Sequence, residues 1–127
     1  MSGGSRMRQA AIPIALVILP VAHFLPVVGT GGLLAPLDGV AFFVPAYLSA
    51  ERIWDPYLFS GFPAFADPQQ MTWYPPAAVL SRIPGSFNLF VLSGYWLAAL
   101  FTYVYVLRLT GSRLAGLVSG LTYSTSA

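Results

Sequence analysis

Few side chains in this 127-residue sequence can do chemistry: four acids (Asp38, Glu51, Asp55, Asp67), six arginines (Arg6, Arg8, Arg52, Arg82, Arg108, Arg113) and one histidine, with no lysine or cysteine. Asp38 comes first among the acids, directly behind a charge-free run over residues 9 to 37 that only His23 interrupts. A carboxylate at such an apolar boundary suits a general base or a ligand for a divalent cation. The same residue also suits a turn before Gly39, or the cap of a helix that follows.

Asp67 stands in Ala66-Asp67-Pro68-Gln69-Gln70, with Trp73 and Tyr74 close behind. A carboxylate, two amides and two aromatic faces are the groups that hold a polyhydroxylated ligand, so Asp67, Gln69, Trp73 and Tyr74 are candidate sugar-binding residues. An Asx turn set by Pro68 accounts for the same residues without a ligand. Arg52 and Arg82 are the two cations of the stretch 38 to 82. Each guanidinium matches a lipid phosphate bidentately, or pairs with Glu51, Asp55 or a headgroup. The lack of cysteine excludes disulfides and thiolate metal sites, and a single histidine excludes a His-rich one. Gly29, Gly31 and Gly32 lack the strand and helix that a phosphate-cradling loop needs. His23 is expected to contact a neighbouring helix.

The elements that carry these residues follow from composition. The chain is 57% hydrophobic, 8% charged, and has a mean hydropathy of +0.72. A soluble domain uses roughly a quarter charged residues, so water is not the main solvent here. A pI near 9.2 does not point to nucleic acid, because the arginines flank apolar runs and do not cluster on one polar face. Residues 10 to 28 follow Arg6 and Arg8 and predict a first span with a cytoplasmic N-terminus. A cleaved signal peptide fits the basic start too, but no small-x-small cleavage site follows. Pro13, Pro20 and Pro26 call for partner helices that re-satisfy the freed carbonyls.

Residues 29 to 85 hold eight of the eleven prolines and all four acids. Carrying their six charges through hydrocarbon costs on the order of 15 to 20 kcal/mol, so this stretch is expected outside the bilayer core. Within it Phe43, Tyr47, Ala50 and Trp54 recur at spacings of four, three and four, the face of one amphipathic helix lying in the interface or packing on the protein's own spans. A short helix is expected at 76 to 83, and Ser86 or Asn88 is expected to cap the next helix. Residues 88 to 107, followed by Arg108 and Arg113, form a second span back to the cytoplasm. From Leu114 a third, incomplete span begins, with Ser112, Gly116 and Gly120 in small-xxx-small spacing. The expectation is an all-α, polytopic integral membrane protein of which this chain is an N-terminal fragment.

The order of features resembles one known group. A first span is followed by an acid, then Trp54-Asp55-Pro56-Tyr57, Gly61-Phe62-Pro63, Ala66-Asp67-Pro68-Gln69, Tyr74-Pro75-Pro76, a second span and Arg113-Leu114-Ala115-Gly116. Over residues 30 to 127 this resembles the N-terminus of bacterial YfhO-like membrane proteins, which are grouped with GT-C type glycosyltransferases. The resemblance implies a cytoplasmic-membrane protein that takes a sugar from a polyprenyl-phosphate carrier and attaches it to a cell-envelope acceptor outside, with its further transmembrane helices as partners. It implies Asp38 as the catalytic base or metal-coordinating group, with a divalent cation as the cofactor to consider, and Asp67, matched to the acid of the Asp-Pro-Gln segment, as the second candidate catalytic residue. Asp38 is followed here by Gly39-Val40-Ala41, where a more polar continuation is expected. The alternative from another class is a non-catalytic membrane assembly or transport component.

Overall fold

The computed structural model describes residues 3–50, 53–57 and 59–126, with side chains described from residue 11 onward. Its long elements are α1 (Gly3–Val28), α2 (Val44–Leu48), α3 (Pro75–Leu80), α4 (Phe87–Thr110) and α5 (Arg113–Thr125). Among the described residues there is no strand, only one isolated antiparallel bridge between Asp55 and Phe62. The chain divides into two compact units, one of Met1–Pro26 with Leu92–Ala127 and one of Val27–Val91.

The first unit is built from α1, α4 and α5. In α1 the stretch Ala11–Val28 is apolar for 18 residues, and α4 is apolar for 24, so two helices are long and apolar enough to cross a membrane. At 1.5 Å per residue, α4 reaches about 36 Å. Pro13, Pro20 and Pro26 all lie inside α1, and Pro20 is completely buried. A proline at 20 leaves the Leu16 carbonyl without its amide and crowds that turn. The indole of Trp96 on α4 donates to the adjoining carbonyl, Val17 O, at 3.1 Å, which ties α4 to α1 beside Pro20 without meeting the carbonyl that this proline frees. Phe24 packs on Tyr95, ring centroids 4.6 Å apart, and His23 sits edge-on to Phe24 at 4.8 Å. Ser112 caps α5, its Oγ accepting the Ala115 N–H at 3.3 Å.

Along α5 the small residues do what their spacing predicts. A Cβ added to Gly116 would lie 2.9 Å from Tyr103 O, and one added to Gly120 would lie 2.6 Å from Ala99 O and 3.3 Å from a Leu16 methyl. Helices α4 and α5 therefore meet backbone to backbone, a distance open only to glycine.

The second unit has its own core of Ala35, Tyr47, Ala50, Ala77 and Phe87, lined by Val44, Met71, Leu80, Phe90 and Val91. Here the expected 43/47/50/54 face breaks up. A wide π turn at Gly39–Phe43 runs into α2, which stops at Leu48, so Trp54 belongs to another segment. Ser49 ends α2 by donating its hydroxyl back to Pro45 O at 2.9 Å. Tyr47 and Ala50, 1% and 0% exposed, face the unit's interior and not a lipid surface.

The two residues expected to cap α4 both make long-range bonds. Ser86 Oγ shares hydrogen bonds with Tyr47 Oη (2.6 Å) and the carbonyls of Ile83 (2.6 Å) and Leu80 (2.5 Å), which ties α2 to the turn after α3. Asn88 accepts the Leu34 N–H and donates to Gly32 O, both at 2.8 Å, which fixes the segment after α1 to the start of α4. Each side chain thus reaches a partner far away in sequence, Tyr47 for Ser86 and Leu34 and Gly32 for Asn88. The short helix begins at Pro75 and ends at Leu80, three residues earlier than expected.

Candidate functional site

Residues 64 to 74 fold without regular helix, and their turns place the candidate ligands. A 3₁₀ turn at Ala64–Ala66 delivers Asp67 in an extended conformation, and Pro68 opens a second 3₁₀ turn at Pro68–Gln70. Asp67 Oδ1 accepts the Gln69 N–H at 2.9 Å, the Asx turn that Pro68 favours. The chain then reverses at Met71, which adopts a left-handed φ of 58°. Reversal brings Trp73 back over the first turn, where its indole N–H donates to Phe65 O at 2.7 Å. This bond fixes the ring while leaving the side chain 77% exposed. Tyr74 meets Phe90 edge-on with centroids 5.8 Å apart.

The outcome is a cleft of about 290 Å³ lined by Asp67, Pro68, Met71, Thr72, Trp73 and Tyr74. Its walls are one carboxylate, the hydroxyls of Thr72 and Tyr74, two aromatic rings and the apolar side chains of Pro68 and Met71, a mixture that grips a ring with polar edges and apolar faces. The Asx turn and the cleft coexist, since the turn is what points Asp67 into place.

A second cleft, about 250 Å³, lies in the same unit and was not foreseen as a site. Ala41, Phe42, Pro45, Ala46, Ser49, Asp55, Tyr57 and Gln70 line it. Asp55 is held there twice. Its backbone pairs with Phe62 in both directions (2.9 and 2.8 Å), and its Oδ1 accepts the Tyr57 N–H at 2.8 Å. The hairpin this bridge closes depends on Gly61, with φ +125° and the Trp54 ring 2.6 Å from where a Cβ would stand. The signal was present in Trp54-Asp55-Pro56-Tyr57 and Gly61-Phe62-Pro63, but only the bridge shows that they act together.

The Pro68–Gln70 turn contributes to both clefts, Pro68 to the first and Gln70 to the second. Gln70 is 8% exposed, whereas Gln69 is exposed and lines neither cleft, so the two adjacent amides do not converge. Asp38 occupies the position before the π turn, yet its side chain makes no cap hydrogen bond; it is exposed and lines neither cleft. Arg82 is exposed on the turn that follows α3 and also lies outside both. Arg52 falls outside the described residues. Among the described residues no three of His, Asp and Glu gather as metal ligands. The geometry thus unites Asp67, Trp73 and Tyr74, and leaves Asp38, Gln69 and Arg82 elsewhere.

No protein-family model, no curated protein and no solved structure matches this chain. Its residues and their arrangement carry the functional argument by themselves.

Proposed function

We propose that this chain is part of a membrane glycosyl-transfer system, in which the Val27–Val91 unit works at the outer face of the bacterial cytoplasmic membrane and binds a sugar carried on a polyprenyl phosphate. The carrying observation is the cleft that brings Asp67, Trp73 and Tyr74 together. In this reading a sugar ring lies with its apolar face on Trp73, and Asp67 accepts hydrogen bonds from its hydroxyls. The guanidinium of Arg82, or that of Arg52, takes the carrier phosphate. Asp38, uncapped and exposed, removes the proton of the acceptor hydroxyl, alone or with a divalent cation. The bond from the acceptor oxygen to the anomeric carbon forms as the bond from that carbon to phosphate breaks, and phosphate leaves with its electron pair.

The membrane placement draws support from the two helices long and apolar enough to span. It also draws on charge: all four acids belong to the Val27–Val91 unit, and four of the six arginines to the other. A second reading, a non-catalytic assembly or transport component, is favoured by Asp38 lining neither cleft. One experiment separates them. The full chain in proteoliposomes is supplied with a polyprenyl-phosphate hexose and an envelope polymer, and both binding and transfer are followed. Transfer that Asp38→Asn abolishes while binding persists favours the enzyme, and binding without any transfer favours the assembly component. A chain that binds no lipid-linked sugar leaves neither role for the cleft.

A further inference from the structure

The first unit contains a groove that sugar transfer does not use. On α1, Ala11 and Ala15 stand one turn apart with Ile12 beside them, and their small side chains leave a space opposite Leu114 and Leu117 of α5. This space is about 550 Å³, and among the described residues its lining is aliphatic except for Arg113. Arg113 is the first residue of α5, and Ala11 the first of the apolar stretch of α1, so the cation marks the level where the apolar wall begins. No acidic side chain belongs to this unit at all, which leaves its arginines without a carboxylate from their own helices.

We propose that this groove is a binding site for one anionic phospholipid, with an acyl chain lying along Ala11, Ala15 and Leu117 and the phosphate held by the Arg113 guanidinium. An aliphatic wall requires an apolar occupant, and the Arg113 cation at its rim requires an anionic end. A phospholipid supplies both on one molecule and at the matching depth. The inference rests on the membrane reading above but not on glycosyl transfer.

The test is native mass spectrometry of the full chain released from detergent micelles, titrated with phosphatidylglycerol or phosphatidylcholine. The site predicts one retained phosphatidylglycerol per chain, at least tenfold preferred over phosphatidylcholine. Arg113→Gln removes that preference, Arg113→Lys keeps part of it, and Arg108→Gln leaves it intact. Ala15→Phe and, independently, Leu117→Trp fill the groove and weaken both lipids, with far-UV circular dichroism verifying unchanged helix content. Millimolar inorganic phosphate does not displace the lipid. The proposal is overturned if Arg113→Gln binds as the parent does, if Arg108→Gln loses as much, or if phosphate alone competes. It is equally overturned if Ala15→Phe merely converts a dimer to a monomer, which gives the groove to a second copy. Alkaline carbonate releasing the chain from membranes would overturn the membrane reading and this site together. A parent chain that is inserted but shows no preference for phosphatidylglycerol overturns this site alone.

Discussion

Trp73 and Asp67 make separable contributions to their cleft, and conservative substitutions can divide them. Trp73→Phe keeps an aromatic face but loses the donor to Phe65 O, so the ring is no longer fixed over the turn. Trp73→Ala removes the face itself. Stacking worth about 1.4 kcal/mol corresponds to tenfold in affinity, so Trp73→Ala should weaken binding of a polyprenyl-phosphate hexose about tenfold, and Trp73→Phe less, by fluorescence titration. Asp67→Asn retains an oxygen for the Gln69 N–H and should leave helix content and melting unchanged while binding falls. Asp67→Ala should in addition cost about 1 kcal/mol of stability, because the turn loses its acceptor. Equal melting of the two variants would remove the Asx turn from the account. That Asp67, Trp73 and Tyr74 share one cleft was legible in the sequence, because a proline-fixed turn and one chain reversal cannot carry residues 67, 73 and 74 far apart. Which of Gln69 and Gln70 turns inward was not legible, since one residue of phase in a 3₁₀ turn decides it. Asp55 and Tyr57 were missed for a related reason: their cleft is completed by Ala41 to Ser49 and by Gln70, contacts that no local spacing announces.

At the scale of elements, the glycines of α4 and α5 give opposite signs for one kind of substitution. Gly120→Ala drives a methyl into the Ala99 carbonyl at 2.6 Å, and Gly116→Ala meets the Tyr103 carbonyl at 2.9 Å; neither obstacle is a side-chain end that can swing aside. Gly94, within α4, has nothing within 4 Å of an added Cβ. Gly94→Ala should therefore raise helix stability by about 0.5 to 1 kcal/mol. Gly120→Ala should lower it by about 1 to 3 kcal/mol, with Gly116→Ala between them. Thermal melts of the full chain in micelles would show the order, and a neutral Gly120→Ala would deny the backbone contact. In the other unit, Gly61→Ala combines a left-handed φ with a collision against the Trp54 ring. It should abolish amide protection at Asp55 and Phe62 while leaving α4 protected. The long helices and the glycine contact were readable because length without charge and spacing of small residues are local properties. The inward fate of Tyr47 was not, because an interfacial aromatic face and a core face share one period. What separates them here is the hydroxyl of Ser86, 39 residues away, waiting for the phenol.

For the molecule as a whole, charge is partitioned between the two units as it is along the sequence. The helical unit carries arginines and no acids, and the Val27–Val91 unit carries every acid. On the placement proposed above, the positive-inside rule would keep the arginine-bearing helix ends in the cytoplasm and the acid-bearing segment outside. The chain has no cysteine, so a single introduced thiol reports its own side unambiguously. Ser60 lies exposed in the hairpin beside Gly61, and Thr110 is exposed at the end of α4. In sealed cells Ser60→Cys should react with a membrane-impermeant maleimide, and Thr110→Cys should react only after permeabilisation. The reverse pattern would put the Asp67 cleft in the cytosol, where an envelope acceptor cannot reach it. Labelling of both thiols from outside would mean that α4 does not cross. In either case the glycosyl-transfer reading fails at the level of placement, whatever affinity the Asp67 cleft has for a sugar.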